Sequence, residues 1–171
     1  MTEDRVQRKL TTILAADVEG YTRLMRADEE ATLKTLGEYR ETIDALVARH
    51  DGRVFSTGGD SVLAEFGSAV EAVRCAISWQ EEMASRNADL ADDRKLMFRI
   101  GINVGDVMIR DDDLFGDGVN VAARLERLVP AGGAHQFPEA ASFRISFSSV
   151  RSDTALRRRW FSFSSSFRRF A

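Results

Sequence analysis

Residues 10–18 hold the run that most restricts the fold. Ile13-Leu14-Ala15-Ala16 is apolar without alternation, Leu10 precedes it, and Val18 follows a lone aspartate. A short unbroken apolar run ending at Glu19-Gly20 reads as a buried strand in the middle of a sheet. Asp17 therefore closes a strand whose other residues seek the interior, and a carboxylate there needs a reason. A second aspartate has the same placement. Val54-Phe55-Ser56-Thr57 leads into Gly58-Gly59-Asp60, and Ser61-Val62-Leu63-Ala64-Glu65-Phe66 returns. This is a β-hairpin with Asp60 at its bend, so one sheet edge is expected to present both carboxylates to the same metal-bound phosphate.

The rest of the chain supplies helices around these strands. A short helical turn is expected over residues 21–25. A longer helix follows, with Ala31, Leu33, Leu36, Ile43, Leu46 and Val47 on one stripe and Asp28 as its cap. Ser68 caps another helix, whose Val70, Val73, Ala76, Ile77 and Met83 share a face. Residues 97–109 read as a strand with a bend or bulge at Gly105, and Asp111-Asp112-Asp113 as a loop. From Gly118 the pattern is helical again, with Val121, Ala122, Leu125 and Leu128 inward, until Pro130-Ala131-Gly132-Gly133 stops it. This order describes an α+β fold: a ferredoxin-like βαββαβ sandwich, its sheet mostly antiparallel, with helices on one face. Glu65 reads as a solvated strand residue.

A chain of 171 residues with 44% hydrophobic content fits a single domain. No apolar run approaches the roughly 20 residues of a membrane helix, and the first residues lack a signal-peptide stretch, so a cytoplasmic location is expected. The lone Cys75 reads as a buried small hydrophobe. The net charge of −3 hides an asymmetry: residues 136–171 carry seven arginines against Glu139 and Asp153, which gives +5 there and leaves −8 for the remainder. That end is rich in Arg, Ser and Phe, has no glycine and shows neither periodicity. A division follows, into residues 1–135 as the folded domain and 136–171 as an atypical tail, read as non-native or disordered. The acidic body argues against nucleic acid as the main partner.

Mg²⁺ takes oxygen ligands, and two such ions can clamp both oxygens of an in-line phosphoryl displacement. Gly58, Gly59 and Gly20 leave room for a polyphosphate, and the amides around Tyr21 would suit a phosphate. An aspartate in a glycine-rich turn also commonly bonds its own backbone, so the pair alone leaves both readings open. A third segment narrows them. Asp113-Leu114-Phe115-Gly116-Asp117-Gly118-Val119-Asn120-Val121-Ala122-Ala123-Arg124-Leu125-Glu126 places Asn120 and Arg124 one helical turn apart on one face. With the two aspartate segments in the same order, this resembles the catalytic domain of the class III adenylate and guanylate cyclases, over roughly residues 9–133.

The resemblance implies the class III cyclase fold, here truncated at its C-terminal strands, and conversion of ATP into 3′,5′-cyclic AMP and pyrophosphate. It implies two Mg²⁺ (or Mn²⁺) ions held by Asp17, Asp60 and the carbonyl of Val18, with Gly20 and Tyr21 beside the substrate. Asn120 would orient the ribose, Arg124 stabilise charge on the reacting phosphate, and Asp113 accept the adenine amino group. A homodimer with shared sites is implied, one subunit giving the metals and the other Asn120, Arg124 and Asp113. Ser56 stands where the family has a purine-reading lysine, and nothing after Gly133 matches the family's triphosphate-binding lysine. Those departures keep two alternatives in view: a catalytically impaired nucleotide-binding or regulatory domain, and a guanylate cyclase. A diguanylate-cyclase-like enzyme, suggested by Gly58-Gly59-Asp60, leaves Asn120 and Arg124 unexplained.

Overall fold

The computed structural model describes residues 7–110, 112–129, 134–137 and 143–145. Strand β1 (Gln7–Val18) leads through α1 (Tyr21–Ala27) and α2 (Glu29–Arg49) to the hairpin β2 (Gly52–Gly58) and β3 (Ser61–Phe66). Then follow α3 (Ala69–Arg86), β4 (Phe98–Arg110), β5 (Asp113–Phe115), α4 (Asp117–Glu126), β6 (Ala134–Phe137) and β7 (Phe143–Ile145). The strand order is β2-β3-β1-β4-β6-β7, with β5 paired to β4. β6 runs parallel to β4; the other pairings are antiparallel. The first four strands have the ferredoxin-like order, and β1 is central as its apolar run demands. It pairs with β4 from Gln7↔Ile109 to Val18↔Phe98 and with β3 from Thr12↔Phe66 to Ala16↔Val62.

From Thr11 onward both faces of β1 are buried, whereas residues 7–10, Leu10 among them, are exposed, and alternate buried residues face alternate cores. Leu14, Ala16 and Val18 join Leu36, Ile43 and Val47 of α2 and Val73, Ala76, Trp79 and Met83 of α3. Trp79 meets Phe98 edge-on, with ring centroids 5.4 Å apart. Ile13 and Ala15 join Val107, Leu114 and Ala122 on the other side. The expected single helical layer therefore holds for α2 and α3, while α4 packs against the opposite face. Helical periodicity tells which side of α4 is apolar but not which sheet face receives it.

The caps form where expected. Asp28 Oδ1 accepts from the Ala31 amide at 3.0 Å, and Ser68 Oγ from the Glu71 amide at 3.5 Å. The hairpin closes at Gly58↔Ser61, with Gly59 at φ 58°. The bulge expected at Gly105 is absent, since the β1–β4 register runs unbroken through Thr11↔Gly105. The irregularity lies in β2, between Val54 and Ser56. Gly105 serves a close approach instead: a Cβ there would sit 3.1 Å from the Gly118 Cα at the start of α4.

Three further expectations change. Asp113 opens β5 by pairing with Arg110, so it is not loop; Asp111 lies outside the described residues. Glu65 is buried at 7% exposure, held by Lys9, by Arg53 Nη2 at 2.9 Å and by Thr11 Oγ1 at 3.1 Å. It pairs with Ile13 and so shares the α4 face. β6 extends across the division drawn at residue 135, and β7 lies beyond it; strands of four and three residues are too short to show a period. The remainder of residues 136–171 lies outside the described residues.

Candidate active site

Asp17 and Asp60 are brought into contact. β1 delivers Asp17 one residue before its end, and the β2–β3 turn delivers Asp60 beside it. The Asp60 carboxyl is pushed up from 3.8 to about 6, first by burial, then by its hydrogen bond to Asp17 and by the charge of that neighbour. The backbone amides of Asp60 and Val18 donate to it and partly offset the rise. Two carboxylates held this close repel one another, and a cation between them would relieve that repulsion. Among the described residues no cluster of three or more His, Cys, Asp or Glu is placed to hold a metal. Asp17 and Asp60 are the two carboxylates available to a cation there. That donor set fits Mg²⁺ or Mn²⁺, hard cations that retain water and take substrate phosphate oxygens.

Gly20 caps α1 at φ 69°, a left-handed conformation that glycine adopts without strain. Its carbonyl accepts from the Arg23 and Leu24 amides at 2.9 and 3.1 Å, while the Glu19 amide donates to Met97 at 2.8 Å. The Tyr21 and Thr22 amides, at the first positions of the helix, have no intrahelical acceptor. Tyr21 packs its ring against the α2–α3 core, which holds this corner beside Asp17.

Asn120 and Arg124 both lie on the exposed side of α4, whereas Ala122, Leu125 and Glu126 are buried. The Gly118 carbonyl accepts from Asn103 Nδ2 at 3.1 Å and fixes the first turn. Asp113 is half-buried, and its Oδ1 accepts from the Leu114 amide at 2.9 Å. Ser56 is half-buried immediately after the β2 bulge. The sheet curls enough for Arg53 Nη1 to reach the Asp112 carbonyl at 2.9 Å, so β2 and β5 meet although three strands lie between them. Asp17, Val18 and Asp60 are thus gathered, with Gly20 and Tyr21 adjoining. Asp113, on β5, pairs with the other end of β4. Arg99 is the cross-strand partner of Asp17 and Arg110 that of Asp113, about 36 Å of strand apart at roughly 3.3 Å per residue.

Three residues to which the sequence reading gave no role surround the aspartates, Glu126 among them although it closes the third segment. Arg99 Nη2 donates to Asp17 Oδ2 at 3.2 Å, and its Nε stands 3.0 Å from Glu126 Oε1, a charge contact without hydrogen-bond alignment. Burial raises the Glu126 carboxyl above its ordinary value, against the pull of Arg99. Arg40 of α2 donates through Nη2 to the Gly59 carbonyl and braces the Asp60 turn. One signal was available in the sequence: Glu126 is a carboxylate on the apolar stripe of α4, four residues after Ala122.

The family profile described as "Adenylate and Guanylate cyclase catalytic domain" matches residues 5–142. The chain belongs to that family. A Rhizobium meliloti (strain 1021) protein named "Putative adenylate cyclase 3" is 52% identical over 134 residues, 78% of this chain and 23% of that protein. A Streptomyces coelicolor (strain ATCC BAA-471 / A3(2) / M145) protein named "Adenylate cyclase" is 40% identical over 129 residues, 75% of this chain and 32% of that protein. The chain thus spans less than a third of the length of these curated relatives. Among solved structures, the adenylate/guanylate cyclase/hydrolase from Silicibacter pomeroyi is 43% identical, with a TM-score of 0.72 over 77% of both chains. The adenylyl cyclase CyaB from P. aeruginosa is 26% identical, with a TM-score of 0.69 over 79% of this chain and 80% of that one. Membership in the cyclase family accounts for the curled α+β sheet.

Proposed function

We propose that this cyclase domain converts ATP into 3′,5′-cyclic AMP and pyrophosphate, in the cytoplasm, as a homodimer with two shared sites. The observation that carries the reading is the contact between Asp17 and Asp60 at the rim of a cyclase-family sheet, close enough to push the Asp60 carboxyl up to about 6. Asp17, Asp60 and the Val18 carbonyl would hold two Mg²⁺ or Mn²⁺ ions, whose chemistry is to acidify the ribose 3′-hydroxyl and neutralise the phosphates.

The chain's own groups do the rest. The Tyr21 and Thr22 amides beside Gly20 receive phosphate oxygens. Asn120 orients the ribose so that O3′ lies in line with the α-phosphorus, which makes the attack intramolecular. The O3′–P bond forms, the bond to the pyrophosphate oxygen breaks, and the hydroxyl proton leaves to water. Arg124 faces the charge that grows on the phosphoryl group. Asp113 accepts the adenine amino group, and Ser56 donates to adenine N1 with a shorter reach than a lysine. Asp113 and Asp17 pair with opposite ends of β4, and Asn120 and Arg124 point away from their own subunit's core. A second copy completes each site, and twofold symmetry makes two.

The test is cyclic nucleotide formation from ATP and from GTP with Mg²⁺ or Mn²⁺. Asp60→Ala is expected to abolish it with the circular dichroism unchanged, and equal turnover in that variant removes the metal assignment. Mixing Asp17→Ala with Arg124→Ala chains is expected to restore part of the activity; a verified heterodimer without recovery removes the shared site. Ser56 favours one second reading, a domain that binds nucleotide without turnover. ATP binding without pyrophosphate release would establish it.

A further inference from the structure

Arg53 ties together the two strands that carry Ser56 and Asp113. We propose that Arg53 is a positioning residue for purine selection, holding Ser56 of β2 and Asp113 of β5 at a fixed separation with Glu65 as its buried anchor; this rests on the cyclase reading. The guanidinium fork is divided between two partners. Nη2 donates to Glu65 Oε2 at 2.9 Å, and Nη1 donates to the Asp112 carbonyl at 2.9 Å. The first bond fixes the guanidinium to the sheet, because the Glu65 side chain is only 8% exposed and is held as well by Lys9 and Thr11. The second bond reaches the residue before Asp113 and so joins strands that are not neighbours in the sheet.

Each end of this tie bears on one of the two residues. Arg53 pairs with Glu65 and Ser56 with Leu63, which are two apart on β3. The bulge between Val54 and Ser56 therefore turns Arg53 and Ser56 to the same face, whereas a regular strand would set them on opposite faces. That face is the one carrying α4, since Glu65 and Leu63 pair with Ile13 and Ala15. The start of β2 is also fixed: a Cβ at Gly52 would overlap the Phe66 ring, so the backbone before Arg53 lies directly on a buried side chain. At the other end, Asp112 has φ 64°, a left-handed conformation that costs a non-glycine residue energy. Arg53 holds the carbonyl of that residue, and with it the entry to β5, whose first residue is Asp113.

The test uses the full chain and its Arg53→Gln and Arg53→Lys variants, with folding checked by circular dichroism and urea midpoints. The first readout is kcat/KM for cyclic nucleotide formation from ATP and from GTP. The second is calorimetric affinity for the α,β-methylene analogues of both nucleotides in Mg²⁺. Arg53→Gln is expected to lower the ATP-over-GTP ratio by about tenfold in both readouts, the scale of one hydrogen bond to the base losing its alignment. Arg53→Lys separates positioning from simple charge. It still neutralises Glu65, but one ammonium lacks the planar fork that engages two partners. It is therefore expected to keep the urea midpoint near that of the wild type and to lose most of the same ratio, and it decides the matter if Arg53→Gln does not fold.

An unchanged ratio in folded Arg53→Lys overturns the proposal. So do equal losses for ATP and GTP, or the failure of both variants to fold, which mark Arg53 as a general support of the fold. Failure of the cyclase reading looks different: the wild-type chain forms no cyclic nucleotide. The analogue affinities then decide the role of Arg53 through the same ratio. A wild type that binds both analogues equally, or neither, has no base pocket between Ser56 and Asp113, and the proposal falls with that assignment.

Discussion

Replacing Asp60 with asparagine should stabilise the metal-free protein, although it removes a residue proposed to be essential. Asp60 holds its proton up to about pH 6, against an ordinary value of 3.8, because burial and the neighbouring Asp17 oppose its ionisation. A carboxyl whose folded-state value is raised contributes stability that is fully present below the unfolded value. That contribution is lost as the pH climbs through the folded value, here between about 4 and 6. Two pH units correspond to about 3 kcal/mol at most. Asp60 is partly solvated at the sheet rim, and screening reduces this to about 1–2 kcal/mol. The Asp60→Asn amide can still donate to Asp17 and has no charge to oppose. In EDTA at pH 8 the variant should therefore melt about 2–8 °C above the wild type, at roughly 2–4 °C per kcal/mol for a chain of this size. The gap should close towards pH 4.5. Added Mg²⁺ should raise the wild-type midpoint and leave the variant nearly unmoved. Thermal melts followed by circular dichroism decide it. An Asp60→Asn protein no more stable than wild type at pH 8 without metal would refute the claim that the two carboxylates share one site.

Gly101→Ala should cost about 1–3 kcal/mol through overpacking against the α4 backbone, read by urea unfolding, with cyclase activity reduced as α4 lifts. Glu65→Ala should cost about 1–3 kcal/mol because Arg53, Lys9 and Thr11 lose their shared acceptor. Burial alone would raise the Glu65 carboxyl, but the hydrogen bonds from those three residues outweigh it and hold it below its ordinary value of 4.5. Its contribution is therefore present above that value and lost as the pH falls, and the wild-type advantage over Glu65→Gln should shrink in acid melts below about pH 4.5. Ser56→Lys should raise the ATP-over-GTP ratio of kcat/KM by about tenfold, the scale of one added hydrogen-bonding group; an unchanged ratio would show that Ser56 does not meet the base.

The scaffold was readable where one local signal decides an element. The unbroken run at Ile13-Leu14-Ala15-Ala16 marks a central strand, Asp28 and Ser68 mark helix starts, and Gly58-Gly59-Asp60 marks the hairpin. Features that depend on two segments meeting were hidden. Gly105 looks like a bulge because a glycine in a strand has two common uses, and only the position of Gly118 separates them. Glu65 looks solvated because Lys9 and Thr11 lie more than fifty residues away in sequence. β5, β6 and β7 are too short for periodicity. Within the candidate site, the placement of Asp17 and Asp60 could be inferred because both end apolar strands. Arg99 and Glu126 acquire meaning only once β1 and β4 are in register and α4 lies across them.

Because β1 is flanked by β3 and β4 and covered on both faces, its amides between Thr12 and Ala16 can exchange with solvent only when the whole domain opens. The turn holding Asp60 has no such protection; it projects from the sheet rim and is steadied from α2 by Arg40. One half of the carboxylate pair therefore has the lifetime of the native state, and the other that of a local fluctuation. On warming, affinity for a divalent ion should decline before the fold does, with the β2–β3 hairpin as the first element to let go.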